Sequence, residues 1–260
     1  MDRVLNVSAY RFVDLPDAPA LCAALHARAE AAGLRGTVLL AREGINLYLA
    51  GAPEAVRGWL ALLQQDTRFA GLDIKESVSH AVPFRRLRVR LRPEIIRMNR
   101  PTIRPADARA PAVSTAVLRR WLDRGHDDND RPLRMLDTRN AFEVDAGRFE
   151  AATDWRLTRF SDFPAALERH IDSLRDCTVV SYCTGGIRCE KAALLMREAG
   201  LQRVWQLDGG ILRWFEQQGG AHFVGRCFVF DEREPLAPQA HGTVGPQRPG
   251  MSGAAATQQL

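Results

Sequence analysis

The chain has no apolar run that approaches the roughly 18 residues expected of a membrane-spanning helix. Its first residues also lack the basic, apolar and small-residue regions of a secretory signal. Its five cysteines, at positions 22, 177, 183, 189 and 227, are odd in number and too scattered for a disulfide framework. We therefore expect a cytoplasmic protein that works in a reducing environment and does not contact a membrane.

Signatures of a bound cofactor are missing as well. The sequence contains no flavin fingerprint and no residue set that indicates an iron triad or another metal site. What is present is an ordinary globular composition, with 46% hydrophobic and 26% charged residues. The 260 residues suffice for two small domains, and the net charge of +5 is compatible with a polyanionic partner. No pattern in the sequence defines an oligomeric state.

The first third of the chain alternates between strand and helix patterns. Strands are predicted at residues 5–13, 36–41 and 45–50, helices at 18–32 and 53–65, and a fourth strand region at 72–78 and 87–91. The resulting order, β-α-β-β-α-β, is typical of a ferredoxin-like (split βαβ) domain of the α+β class, as in acylphosphatases. We assign this domain to residues 1–92.

A row of arginines ends this domain. Four arginines alternate with apolar residues, so a strand here has one apolar and one cationic face. They are Arg86, Arg88, Arg90 and Arg92. Such a row is either a solvated face neutralised by carboxylates or a surface that binds the phosphates of a nucleic acid. Only Glu94 interrupts the basic run, which favours phosphates.

The rest of the chain reads as a second, α/β domain. Residues 93–113 are rich in proline and predict an ordered linker. From residue 114 to 222, strand patterns at 133–137, 178–182 and 204–207 alternate with helices at 115–122, 163–174, 187–199 and 211–217. This alternation predicts a parallel sheet flanked by helices. The run 124–131, rich in Asp and Asn, is predicted to be a surface loop.

Cys183 follows the buried strand at 178–182 and begins a short loop that leads to a helix at Ile187. Parallel sheets bind ligands at this carboxyl edge of the strands. The loop amides and the positive end of the helix dipole favour an anion, so we expect a lowered pKa for this thiol. Gly185 and Gly186 are expected to adopt positive φ and to let the backbone approach the sulfur. Arg188 adds a positive charge, and we interpret Cys183 as a nucleophile.

Residues 183–192, Cys-Thr-Gly-Gly-Ile-Arg-Cys-Glu-Lys-Ala, resemble the active-site loop of the rhodanese-containing tRNA uridine(34) hydroxylases. Other stretches resemble the same family at residues 36–46, 92–98, 133–152, 208–211 and 225–233. The resemblance implies a rhodanese-like fold for residues 114–222. It also implies oxygen-dependent 5-hydroxylation of uridine 34 in the tRNA anticodon, with molecular oxygen as co-substrate and Cys183 able to carry a persulfide.

Roles for further residues follow from the same resemblance. The active-site loop that would surround the sulfur and bind substrate comprises Thr184, Gly185, Gly186, Ile187 and Arg188. Three charged residues would pair and hold the surrounding loops, namely Asp137, Arg139 and Glu143. With tRNA as the partner, the arginine row becomes a candidate tRNA-binding surface.

Cys189 has two interpretations. It is either a redox partner of Cys183 or a small residue in the first turn of the helix. Its position also speaks against a phosphatase, because phosphatases of this scaffold need an arginine six residues after the cysteine, where Cys189 stands here.

Two other functions stay open from the sequence. A sulfurtransferase would move sulfur from thiosulfate or a persulfide to an acceptor, and a non-catalytic rhodanese module would bind a partner without using Cys183. A thiosulfate assay distinguishes the first, and activity that survives Cys183→Ala points to the second. Residues 223–260 are predicted to be a C-terminal extension, disordered after about residue 234. The extension has no cysteine after Cys227, which excludes the paired cysteines that many relatives carry there.

Overall fold

The computed structural model of the protein describes residues 3–228, and within them the chain forms two compact units, residues 3–95 and 96–228. Most of the predicted C-terminal extension, including the predicted disorder after residue 234, lies outside the described residues.

The N-terminal unit is a five-stranded sheet with two helices. Its elements are β1 (Val4–Phe12), α1 (Ala18–Ala31), β2 (Arg35–Ala41), β3 (Gly44–Gly51), α2 (Pro53–Gln64), β4 (Lys75–Ser79) and β5 (Leu87–Leu91). The strand order is β4-β1-β3-β2-β5, and all neighbours are antiparallel except β2 and β5. The order of the first four strands confirms the ferredoxin-like prediction.

Alternate residues of the strands build the core of this unit. In β1, for example, Leu5, Val7 and Ala9 are buried, and they pack in one cluster with Leu25 of α1 and Trp59 of α2. The period of two in the strands and the apolar stripe of α2 therefore give the same layer of buried side chains.

The prediction of one fourth strand region, at residues 72–78 and 87–91, is wrong. This region consists of two strands at opposite edges of the sheet: β4 pairs with β1, and β5 pairs with β2 in the parallel direction. Residues 80–86 carry the chain from β4 at one edge of the sheet to β5 at the other. The arginine-bearing β5 is therefore an edge strand added to the ferredoxin-like set.

The turn between β2 and β3 holds the end of this unit. Glu43 Oε1 accepts a hydrogen bond from the backbone N–H of Ile95 at 2.8 Å, and Asn46 Nδ2 donates to the Ile95 carbonyl at 3.3 Å. Ile95 and Asn46 are both buried. Both polar groups of one backbone position are thus satisfied by side chains from the 36–46 stretch.

The second unit contains the parallel sheet. Its elements are β6 (Ala112–Val113), α3 (Thr115–Arg124), β7 (Leu133–Asp137), α4 (Ala141–Ala146), β8 (Gly147–Phe149), β9 (Thr153–Asp154), α5 (Phe163–His170), β10 (Thr178–Tyr182), α6 (Ile187–Glu198), β11 (Val204–Leu207), α7 (Gly210–Gln218) and β12 (Phe223–Gly225). The five strands in the order β6-β11-β10-β7-β9 are all parallel, and β8 pairs with β12 in a separate antiparallel ribbon.

Helices cover both faces of this sheet, as predicted. Val179 of β10 packs in a cluster with α5 and α6, whereas the next residue, Val180, packs in a cluster with α3 and α7. Two core layers on opposite faces explain why β10 is apolar throughout rather than alternating.

The prediction of a plain surface loop at 124–131 is only partly right, because Asp127 is buried. Its carboxylate accepts hydrogen bonds from the hydroxyl of Thr178 at 2.6 Å and from the backbone N–H of Asn129 and Arg131 at 2.8 and 3.0 Å. These bonds lower the pKa of Asp127, although burial alone would raise it. The side chain fastens the loop to the first residue of β10.

Candidate active site

Cys183 lies directly after β10, the central strand of the parallel sheet, and before α6. Its side chain is 1% exposed. The chain enters α6 through Gly186, whose φ of +105° is a conformation that glycine adopts readily. The turn places the backbone N–H of Gly186 3.1 Å from the Cys183 sulfur. The sulfur therefore lies at the N-terminus of a helix, where a negative charge is stabilised.

The backbone φ of Gly185 differs from the prediction. Of the two loop glycines, only Gly186 has a positive φ. A Cβ added at Gly185 would meet no atom of the described chain within 4 Å. The expectation of a positive φ at Gly185 is therefore wrong, because one left-handed residue is enough to turn the chain into α6.

The N-terminus of α7 fixes the back of the loop. The N–H groups of Ile211 and Leu212 donate to the carbonyls of Cys183 and Thr184 at 3.0 and 3.1 Å. Gly210 makes this approach possible, because a Cβ there would lie 2.5 Å from the Cys183 oxygen and 2.7 Å from the Thr184 oxygen. With its carbonyls bound on this side, the loop directs an amide toward the sulfur.

Gly210→Ala is expected to disturb this loop far more than Gly185→Ala. The Gly210 methyl would clash with two carbonyl oxygens and would also require alanine at a φ of +64°. We expect it to lower the free energy of unfolding by about 2–4 kcal/mol, against less than about 1 kcal/mol for Gly185→Ala. Urea denaturation of both variants measures the difference, and equal stabilities would show that Gly210 does not support the loop.

The charges around Cys183 favour its thiolate. Burial by itself would raise the pKa of Cys183, but a hydrogen bond from Cys189, the Arg188 guanidinium and the backbone N–H groups of Arg188 and Gly186 lower it to about 6. Burial and the neighbouring Cys183 sulfur raise the pKa of Cys189 well above its ordinary value. Of the two sulfurs, Cys183 is therefore the one whose surroundings favour the thiolate, the form that can act as a nucleophile.

The thiolate of Cys183 is expected to appear near pH 6. Because the pKa is lowered, the negative charge is present above about pH 6 and is lost as the pH falls through that value. Thiolate ultraviolet absorbance of the wild type minus that of Cys183→Ser measures the titration. In Cys189→Ala, which lacks the hydrogen-bond donor, the midpoint should move to higher pH, and an unchanged midpoint would remove Cys189 from the stabilisation.

Arg188 reaches the site together with Glu143. Its guanidinium forms a two-pronged ion pair with the Glu143 carboxylate, at 2.6 and 2.8 Å, and both side chains are buried. Glu143 also accepts the backbone N–H of Asn140 at 3.0 Å at the start of α4. The carboxylate holds the Arg188 side chain in one orientation beside the loop and links it to α4.

Asp137 and Arg139 form a second buried pair. Arg139 Nε and Nη2 donate to the Asp137 carboxylate at 2.9 and 2.6 Å, and neither side chain is exposed. Arg139 also donates to the carbonyl of Gly147 at 2.7 Å, at the end of α4. Asp137 and Arg139 thus fix the two ends of the 137–147 segment and do not contact the cysteine in any recorded bond. The sequence named the charged residues but not the way in which they pair.

Sequence reasoning gave no role to Cys227, which lies beside the loop. It is fully buried, and this burial raises its pKa to about 12, so it is a neutral thiol. The Cys227 thiol and the Thr184 hydroxyl both donate to the Phe228 carbonyl, at 3.6 and 3.5 Å, and Thr184 and Ile187 are each 6% exposed. The sequence signal for Cys227 is its place in the 225–233 stretch, which resembles the family.

Glu190 and Lys191 are also buried, although they are charged residues on a helix. Glu190 pairs with Arg109 at 3.2 Å, and Lys191 Nζ donates to the carbonyl of Ile96 at 3.0 Å. They fasten the proline-rich segment after residue 95 to the helix that carries the cysteine loop. Their place in the 183–192 stretch was the available signal.

The arginine row belongs to the N-terminal unit. Arg86, Arg90 and Arg92 are exposed, whereas Arg88 is half-buried and its Nε has no hydrogen-bond partner among residues 3–228. Burial, followed by the charges of Arg86 and Arg90, lowers the pKa of Arg88. Leu87 and Val89 pack against the core, so the guanidinium groups of Arg88 and Arg90 lie on the opposite face.

No group of three or more His, Cys, Asp or Glu side chains between residues 3 and 228 is placed to hold a metal ion. In the same range, every helix is too short or too polar to cross a membrane.

Comparison with known families agrees with the two units. The family model of the UPF0176 acylphosphatase-like domain matches residues 4–95, and that of the rhodanese-like domain matches residues 116–217. A solved rhodanese-like domain from Anabaena is 19% identical and covers 56% of this chain and 94% of its own, with a TM-score of 0.37. The family models and the observed topology define a two-domain protein with a C-terminal rhodanese-like domain.

Curated relatives are similar over nearly the whole chain. It is 58% identical to a tRNA uridine(34) hydroxylase of Variovorax paradoxus over 238 residues, which cover 92% of this chain and 90% of that protein. A tRNA uridine(34) hydroxylase of Bordetella petrii is 60% identical, with 92% and 94% covered. The chain belongs to the tRNA uridine(34) hydroxylase family.

Proposed function

We propose that this protein is a tRNA-modifying oxidoreductase that hydroxylates C5 of uridine 34, with molecular oxygen as co-substrate and Cys183 as the reactive group. The observation that carries the proposal is the Cys183 sulfur, whose charge is stabilised by the Gly186 amide and Arg188, in a chain of this family. A lowered pKa at the end of a strand is the usual setting of a nucleophilic cysteine.

Cys183 would activate the uracil ring by addition. The thiolate forms a bond to C6, and the electron pair of the C5–C6 double bond moves toward C5 and the C4 carbonyl, which makes C5 electron-rich. After oxygen transfer, loss of the C5 proton restores the C5–C6 double bond, breaks the S–C6 bond and releases the thiolate. Because Cys183 is buried, the side chains over the loop must move before uracil reaches the sulfur.

The electron balance gives Cys189 a role. Hydroxylation places one atom of O₂ in the C5–H bond, and the other leaves as water, which consumes two electrons and two protons. A thiolate and a thiol that form a disulfide supply both electrons and one of the protons, and solvent supplies the second proton. We propose Cys183 and Cys189, which are close enough for each to shift the pKa of the other, as this redox pair, reduced afterwards by a cellular thiol. In a single turnover without added thiol, one disulfide per hydroxylated uridine is expected, and product formed with both thiols still reduced would refute this role.

The direct test of the function is nucleoside mass spectrometry. tRNA is isolated from a host that lacks 5-hydroxyuridine, with and without this gene. Appearance of the modified nucleoside only with the gene supports the proposal. The thiolate loop also suits a sulfurtransferase. If no 5-hydroxyuridine forms while the purified protein transfers sulfur from thiosulfate to cyanide, the sulfurtransferase function replaces the hydroxylase.

We further propose that the arginine row binds phosphates of the tRNA. The cationic face carries like charges side by side, and an anionic partner would reduce the repulsion between them.

Arg86→Ala combined with Arg90→Ala is expected to weaken tRNA binding and to reduce its salt dependence. Loss of two phosphate contacts should lower the slope of log affinity against log salt by about 1.4 to 1.8. Arg28→Ala with Arg57→Ala is the matched control, because both of these exposed arginines lie on the helices of the same unit. Equal slopes for the two double variants would show that the row makes no specific contribution.

A further inference from the structure

The register of the parallel sheet places a second surface beside the cysteine loop. Tyr182 of β10 is aligned with Asp137 of β7, and Asp137 is aligned with Asp154 of β9. The loops that follow these three neighbouring strands therefore leave the same edge of the sheet, beginning with Cys183 and Trp155 at its two ends. Since neighbouring strands lie about 4.8 Å apart, the two backbone positions are about 10 Å from each other. That separation is within the reach of one RNA nucleotide.

A groove of about 410 Å³ begins at Trp155 and extends along α5. One wall is the segment 155–158, and the other is formed by residues 161, 162, 165 and 169, which follow one another at helical spacing. The volume is in the range of small-ligand sites. The groove is distinct from the cysteine loop and is not used in the proposed chemistry.

The lining of the groove suits a nucleotide. The hydroxyls of Thr158 and Ser161 provide donors and acceptors, and Arg169 is an exposed cation. Two other charged residues of the lining have partners: Asp162 pairs with Arg159, and Arg156 pairs with Asp145 and Asp154. No salt bridge of Arg169 is recorded among the described residues, so it is the cation that is available for a phosphate.

The walls of the groove are rigidly supported. Trp155 is stacked on His170, with ring centroids 5.4 Å apart, and packs against Phe163. The Leu157 carbonyl accepts the N–H of Ala141 at 2.7 Å, at the start of the helix whose Glu143 holds Arg188. The groove and the cysteine loop are therefore braced by the same short helix, α4.

We propose that this groove binds a nucleotide that flanks the target uridine in the anticodon loop, with Arg169 contacting its phosphate. The inference rests on the proposed function, and it adds the position of the nucleotide next to the reacting base. If successive nucleotides of the anticodon lie along the carboxyl edge of the sheet, the target base is at Cys183 and the adjacent phosphate is in the groove.

The test is a double-mutant cycle between protein and RNA. A labelled synthetic anticodon stem-loop is titrated with the wild type and with Arg169→Ala, and the same is done with RNAs in which one phosphate flanking the target uridine is a neutral methylphosphonate. Arg169→Ala should weaken binding about fivefold and reduce the salt slope by about 0.7. At one of the flanking phosphates, the methylphosphonate should weaken wild-type binding similarly but leave Arg169→Ala unaffected.

Arg197→Ala is the matched control. Arg197 and Arg169 are both exposed arginines in the last turn of a helix of the same unit. Arg197, however, lies at the far end of α6 from the cysteine loop. The Arg197→Ala variant should bind the RNA as tightly as the wild type does. Arg169→Gln should lose as much RNA affinity as Arg169→Ala. Equal affinities of Arg169→Ala and wild type, or fully additive losses at every flanking phosphate, would overturn the inference.

The same RNA separates this inference from the proposed function. If the wild type hydroxylates the stem-loop and the cycle shows no coupling, the groove has no such role and the hydroxylase function stands. If the wild type neither binds nor hydroxylates it, the proposed function and the groove both fail.

Discussion

Cys183→Ser is expected to lower the rate of uridine hydroxylation at least about 1,000-fold. Serine occupies nearly the same volume and keeps the hydrogen bond from Gly186, so the loop should be preserved. Its hydroxyl, however, does not ionise near neutral pH and adds poorly to C6. The measurement is quantification of 5-hydroxyuridine by mass spectrometry, with purified protein and unmodified tRNA under oxygen.

Cys22→Ser is the control for this experiment. Cys22 is half-buried in α1 of the N-terminal unit, whereas the cysteine loop belongs to the second unit. The activity of the Cys22→Ser variant should stay within about twofold of that of the wild type, because Cys22 has no role in the proposed chemistry. Full activity of Cys183→Ser would eliminate the cysteine from the mechanism. The same result would favour the reading of the second domain as a non-catalytic binding module.

Glu143→Ala is expected to be the most destabilising of the charge substitutions, by about 3–5 kcal/mol in the free energy of unfolding. The variant removes the Glu143 carboxylate from the buried Arg188 and also removes the bond to the Asn140 N–H. Urea denaturation measures the loss. Asp172→Ala, which breaks the exposed pair with Arg175, should cost less than about 1 kcal/mol.

A rescue variant separates the two parts of this effect. Glu143→Gln combined with Arg188→Met replaces the buried ion pair with a neutral, well-packed pair, and most of the stability should return. Activity should not return, because the positive charge near the Cys183 sulfur is lost. Recovery of both stability and hydroxylation would show that Arg188 has only a structural role.

The local elements were predictable because they depend on neighbouring residues. The ferredoxin-like order followed from alternating apolar residues in strands such as β1 and from the amphipathic pattern of α2. The strand-loop-helix around Cys183 followed from an apolar run, two glycines and a helical pattern. Even here the sequence assigned a positive φ to Gly185 as well as Gly186, because composition does not show which glycine carries the turn.

The contacts that shape the site were not predictable, because they join residues far apart in the chain. Gly210 supports the loop from the start of another helix. Only the structure shows why a glycine is needed there, because the Cys183 and Thr184 carbonyls leave no space for a Cβ. The partner of Arg188 is Glu143, 45 residues away, and not the nearer Glu190, which pairs with Arg109. The pairing of β5 with β2 depended in the same way on a crossover that strand patterns do not specify.

The sequence by itself determined which residues are chemically suited to the reaction: a cysteine at the end of a buried strand, a helix after it, an arginine beside it and a row of arginines in the other domain. The sequence also predicts a lowered pKa for Cys183, from the loop amides, the helix after it and Arg188. Only the tertiary structure shows that Cys189 takes part in stabilising the charge and how deeply the Cys183 sulfur is buried. Its burial alone would favour the neutral thiol, and the opposing stabilisation comes from Cys189, Arg188 and the loop amides. How strongly burial opposes this stabilisation depends on distances and exposure in three dimensions, which the order of the residues does not specify.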